Sequence, residues 1–227
     1  DYVGFNSAWG YWISACLSNV SFALLLFSAL GYFFPVFGEG NNMISIICAS
    51  VFLWFLTFLV TRGVKEAAGI NTIVTLAKLV PLGMFVLSIV LLGKFNPDIF
   101  MDNFWGEPGG PSFGEQVVST MIALVWVFTG IEGAVVISGR AKYVKDVGRA
   151  TAFGFIAVFV LYLIISLLSL GIMPREEMAQ LATPSMAGIL EHAIGPVGAA
   201  VVNLGVVLSL VGAMLGYVII ASETPFE

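Results

Sequence analysis

Three charged residues stand in or at the edge of otherwise apolar runs: Lys78, Glu132 and Glu223. A charge at the centre of a membrane helix costs about 2.5–3.5 kcal/mol on insertion scales, so each of the three marks a substrate or ion pathway by default. Glu132 lies in Trp126-Val127-Phe128-Thr129-Gly130-Ile131-Glu132-Gly133-Ala134, with a glycine on either side of it. Glycine weakens a helix by about 1 kcal/mol relative to alanine and permits close backbone approach. The run therefore predicts an interrupted helix, whose freed backbone groups can hold a carboxylate or an ammonium near the bilayer midplane. An acid there supplies the counter-charge that a cation needs in a medium of low dielectric. The plain alternative is a tightly packed helix whose acid bonds a neighbouring hydroxyl.

Lys78 opens Lys78-Leu79-Val80-Pro81 and shares a helix face with Asn71 and Thr75, at about 100° per residue. That polar face should look into the protein; a lysine that snorkels to the interface is the other reading. Gly205, Ser209, Gly212, Gly216 and Glu223 fall within about 60° of one another on a helical wheel. Tyr11, Ser14, Ser18 and Ser21 make a similar stripe, with Asn19 beside it. Stripes of small residues let helices approach closely, so packing explains both as readily as function does.

These residues need long apolar elements to position them. A membrane span takes roughly 20 apolar residues. Six candidates fit, at about 12–34, 43–61, 72–93, 117–138, 150–172 and 195–221, with glycines and prolines punctuating the gaps. Two of the loops, 61–66 and 139–149, hold six of the nine Lys and Arg residues; the connections near Glu39, 98–115 and 175–191 are net acidic. Short loops rich in Lys and Arg stay in the cytoplasm. The alternation has the phase of a chain that crosses the bilayer at each span and places both ends of this chain in the cytoplasm. The aromatics Phe95, Phe100, Phe104 and Trp105 suit a segment lying on the outer membrane surface. Residues 176–192 read as a short outer helix or helix pair, with His192 a solvated loop residue.

Composition agrees with a lipid solvent. Of 227 residues, 59% are hydrophobic and 10% charged, with mean hydropathy +1.01. An ordinary soluble domain carries about 25% charged residues. No basic stripe with interleaved aromatics suggests nucleic acid. Cys16 and Cys48 both fall in apolar runs and read as packing residues. His-Glu-x-x-His, Gly-x-Ser-x-Gly, a Walker loop and paired metal-ligand spacings do not occur, which leaves an enzyme reading little to stand on. No cofactor or metal is expected. No signal peptide is visible, and both ends read as cut from something longer.

The run 126–134 followed by Ser138-Gly139-Arg140-Ala141 resembles the broken sixth helix of amino acid–polyamine–organocation transporters. Gly63-Val64-Lys65-Glu66-Ala67-Ala68-Gly69-Ile70-Asn71, Lys78-Leu79-Val80-Pro81 and Ala221-Ser222-Glu223-Thr224-Pro225-Phe226 resemble the arginine/ornithine antiporter branch of that family. The resemblance implies two inverted five-helix repeats, of which this chain would hold the third to eighth helices. The Gly-Ser-Gly-Ile type motif of the family's first helix, and the last helices, lie outside it. It also implies substrate contacts at Asn19, Trp126, Thr129, Glu132 and Tyr217, with Trp126 as the aromatic that gates the site from outside. Tyr217 stands where some relatives carry tryptophan. Lys78 stands where many relatives use a lysine ammonium in place of sodium, and Lys78, Glu132 and Glu223 would couple or gate transport.

The resulting expectation is an all-α membrane protein with six transmembrane helices, part of a five-plus-five inverted-repeat transporter. It would exchange cationic amino acids, arginine for ornithine, by alternating access in a bacterial inner membrane. A lysine or polyamine permease is the neighbouring alternative; a non-transporting receptor or scaffold subunit is the alternative from another class. Its partners would be a small cationic amino acid and the lipid bilayer, with no nucleic acid; self-association is left open.

Overall fold

A run of thirty residues without proline, from Tyr2 to Gly31, has nothing in it to stop a helix, and it forms one. The computed structural model describes residues 2–62, 79–105, 109–128, 131 and 143–224, the side chains of Trp105, Ile122, Trp126 and Val144 excepted. Its helices are α1 (Tyr2–Gly31), α2 (Met43–Arg62), α3 (Leu79–Leu91), α4 (Pro97–Trp105), α5 (Phe113–Phe128), α6 (Val144–Ser169), α7 (Arg175–Ala179), α8 (Ser185–Ile194) and α9 (Pro196–Glu223). No strand occurs among the described residues. The chain is an all-α protein.

Four of these helices, α1, α2, α6 and α9, are long and apolar enough to cross a membrane. They match the first, second, fifth and sixth expected spans. α3 and α5 fall on the third and fourth spans, whose remaining residues lie outside the described ones. α1 starts ten residues before the expected span and ends at Gly31. At about 1.5 Å per residue it is ~45 Å long, more than the ~30 Å hydrocarbon core, so it tilts or protrudes. The acidic stretch after α6 forms the expected helix pair, α7 and α8. His192 is exposed as expected but sits in the last turn of α8 rather than in a loop. Helix propagation is cheap once started, and the apolar face of α8 (Ala187, Leu190) has a partner to bury against.

α9 is the centre of the packing. Its most extensive partner is α1, followed by α8 and then α2. Leu26 and Phe27 of α1, Leu56 of α2 and Met214 and Leu215 of α9 make one apolar core. Toward the acidic end, Phe85 and Ile89 of α3, Ile172, Met173, Leu190 of α8 and Val202 of α9 make a second. The pyrrolidine ring of Pro81 lies against Gly205 so closely that a Cβ there would meet its ring carbons. α6 buries none of its apolar window among the described residues, so that window faces lipid or residues outside the described ones.

Connections at the acidic end are specified by local polar groups. Asn42 caps α2: its Oδ1 accepts from Ser45 N at 2.8 Å and its Nδ2 donates to Val36 O at 2.9 Å. Gly40 takes φ +82° where the turn presses on the Leu24 and Ser28 backbone of α1, a place no side chain fits. Gly195, at φ 85°, reverses the chain between α8 and α9. Ser112 and Glu115 form a reciprocal cap at the start of α5, with Glu115 Oε2 accepting from Ser112 N at 2.8 Å and Ser112 Oγ at 2.9 Å. Those two donors, the backbone one first, hold the exposed Glu115 carboxyl below its ordinary pKa. The cap is therefore intact at neutral pH and is lost as pH falls through the lowered value.

Candidate functional site

Asn19 is 4% exposed, in the middle of α1. Its Nδ2 donates to Ala15 O at 3.2 Å, one turn back. Its Oδ1 is buried and accepts no hydrogen bond among the described residues. It lines a small cavity of about 130 Å³ between α1 and α2, walled mostly by Val20, Ala23, Leu24, Ile46, Ala49 and Leu53. An unsatisfied carbonyl in such a setting costs about 1–3 kcal/mol. Nothing in the local sequence requires that cost, because leucine would serve a packing role better.

Tyr217 is on the face of α9 that meets α1. Its ring is edge-on to Phe22, with centroids 5.1 Å apart at 78°. Phe22 is three residues after Asn19 on α1, and Asn19 itself lines the cavity between α1 and α2. Glu223 is half-buried at the last residue of α9, six residues or about 9 Å beyond Tyr217. Beside it the Trp12 indole N–H donates to Ala221 O at 3.0 Å, pinning the start of α1 to the end of α9.

Trp126 is in the last turn of α5. Two residues on, Phe128 meets Phe155 of α6 at 5.5 Å and Tyr162 at 6.4 Å. This contact seats the end of α5 on α6. Lys78, Thr129 and Glu132 lie outside the described residues, as do Gly130 and Gly133 of the expected helix break. Of the serine stripe on α1, Ser18 is buried and donates to Ser14 O at 2.8 Å. Ser14, Ser18 and Ser21 line a shallow groove of about 390 Å³ with Gly10, Ile13 and Leu17.

Two asparagines escaped the reading of the sequence. Asn103, 6% exposed, donates from Nδ2 to Leu170 O at 2.6 Å and Met173 O at 2.9 Å. Its Oδ1 accepts from Arg175 N at 2.9 Å, and the Arg175 guanidinium returns a bond to Asn103 O at 2.6 Å. The pair caps the ends of α6 and α4 at once. Asn203 is 3% exposed in α9 and lines a cavity of about 640 Å³ at the acidic end. Its signal was available: an amide among Val201, Val202 and Leu204 is a polar group inside a span.

The whole chain, residues 1–227, matches the profile of the amino acid permease family. It is 51% identical to an arginine/ornithine antiporter of Pseudomonas aeruginosa, over 100% of this chain and 47% of that protein. It is 42% identical to an L-lysine transport protein of Corynebacterium glutamicum, over 98% of this chain and 44% of that protein. An arginine/ornithine antiporter of Latilactobacillus sakei is 40% identical over 98% of this chain and 47% of its own length. The chain spans about half the length of the curated relatives it matches. With its long apolar helices and its match along the full sequence, this chain is a multi-pass membrane protein that belongs to the amino acid permease family.

Proposed function

We propose that the protein carrying this chain exchanges cationic amino acids, arginine for ornithine, across a bacterial inner membrane by alternating access. The observation that carries this is the 51% identity, along all of this chain, to a protein named an arginine/ornithine antiporter. In this reading Asn19, Trp126, Thr129, Glu132 and Tyr217 contact the substrate, and Lys78, Glu132 and Glu223 couple or gate its movement. The contact between Phe22 and Tyr217, and the buried Asn19 carbonyl that has no partner among the described residues, support the use of α1 and α9 in the site. Both ends of the chain are cytoplasmic in this arrangement, as the basic loops suggest. Six transmembrane spans at the positions expected from hydropathy complete it.

Liposomes holding the full-length protein and preloaded with ornithine should take up labelled arginine, and empty liposomes should not. Glu132→Gln keeps volume and hydrogen bonding but removes the charge. Losing a buried charge partner costs about 3–5 kcal/mol, so arginine affinity should fall more than a hundredfold, with Glu132→Asp milder. Equal binding and exchange in Glu132→Gln would remove Glu132 from the site. A lysine permease is the second reading, from the 42% identity to an L-lysine transport protein. Lysine uptake into liposomes without internal amino acid would favour it.

A further inference from the structure

The bonds of Asn103 tie together two connections that lie 67 to 72 residues apart in the chain. One is α4, which leads into α5; the other is the stretch 170–175, which carries α6 into α7. Two further contacts join the same pieces. Asn96 N donates to Gly171 O at 2.8 Å, and the ring of Phe95 lies where a Cβ on Gly171 would stand. Ile172 and Met173 then enter the apolar core made with Phe85 and Ile89 of α3, Leu190 of α8 and Val202 of α9. The tie is part of a packed block.

α5 and α6 are attached to that block in another way. Each joins it through the chain at its acidic end, α5 by its start and α6 by its finish. Neither has a buried residue among those whose side chains are described. They meet each other at Phe128, whose ring is 5.5 Å from that of Phe155 and 6.4 Å from that of Tyr162. Just before α5, Gly109 takes φ +90° with nothing within 4 Å of the place where a side chain would begin. Hinges are a few residues at the ends of elements that absorb backbone rotation. We propose that the Asn103 tie is the common hinge of an α5–α6 pair, which swings against the block during exchange while the tie itself stays closed. The inference rests on the transport reading above. Two helices in contact with each other, and joined to one block at neighbouring points, move as a unit. Were those points to part, each helix would follow its own connection and α5 would lose its register on α6.

The test compares one protein in two states. Phe95→Cys/Gly171→Cys, in the full-length protein without Cys16 and Cys48, puts two thiols where the ring now fills the gap, within disulfide reach. In liposomes preloaded with ornithine, arginine exchange by the oxidised form should stay within about twofold of the reduced form. Exchange that stops on oxidation and returns on reduction would mean that the tie opens in each cycle, and would overturn the proposal. Asn103→Ala should lower the exchange rate per arginine-binding site roughly tenfold, and oxidising the cysteine pair in the same variant should bring the rate back. Counting the rate per site separates the hinge from the fold. An Asn103 that only stabilises would lower the number of sites and leave the rate of each unchanged, which would overturn the proposal, as would a lost rate that the disulfide does not return. Absence of arginine exchange by the wild type would instead bring down the transport reading, and the hinge with it.

Discussion

Asn19 and Asn103 are both buried amides, and their hydrogen bonding separates their roles. Asn103 spends every polar atom of its side chain on the backbone of residues 170, 173 and 175. Asn103→Ala leaves two buried carbonyls and an amide without it, at about 3 kcal/mol. Hydrogen exchange of residues 97–105 should speed up roughly a hundredfold, with exchange elsewhere unchanged. Asn19 leaves its carbonyl unpaired among the described residues, in a mostly apolar cavity. Asn19→Leu should therefore hold or raise the melting temperature in detergent while abolishing arginine exchange. A variant that loses stability and transport together would make Asn19 a packing residue.

At the scale of elements, the small-residue stripe of α9 has two readings that the structure separates by position. Gly205 meets Pro81 of α3 without room for a methyl group, with Pro81 Cδ at 3.2 Å from an added Cβ. A proline ring cannot rotate away, so Gly205→Ala must push α3 off α9. Overpacking of this kind costs about 1–3 kcal/mol. The melting temperature should fall, and a disulfide engineered between α3 and α9 near this contact should form more slowly. Gly216 has nothing within 4 Å among the described residues, so the same substitution there leaves this packing alone. Packing thus explains the Gly205 end of the stripe. The other end runs past Tyr217 to Glu223, where the stripe meets the proposed site.

For the whole molecule, the charge of the loops assigns the two faces of the membrane. Residues near Lys65 and Lys142 should be cytoplasmic and Gly110 external. Single cysteines at these places, in a background without Cys16 and Cys48, can be labelled in intact cells with an impermeant reagent. The cysteine near Gly110 should react and the other two should not; the reverse pattern would invert the molecule and place the 640 Å³ cavity on the inside.

What the sequence determined by itself is what depends on residues close together in the chain. Lipid exposure follows from average hydropathy over about 20 residues, so α1, α2, α6 and α9 were legible, and so was the acidic helix pair. Helical spacing was enough to put Gly205, Ser209, Gly212 and Gly216 on one face. Which face meets which neighbour is a matter of contacts between residues far apart in sequence. Pro81 against Gly205, Phe22 against Tyr217 and Asn103 against Leu170 are of this kind. No local pattern distinguishes an asparagine that caps a distant helix from one that stands unpaired in a cavity. Tertiary packing alone made Asn103 a clamp and left Asn19 an acceptor unpaired among the described residues, because burial and partner atoms exist only once the helices are side by side.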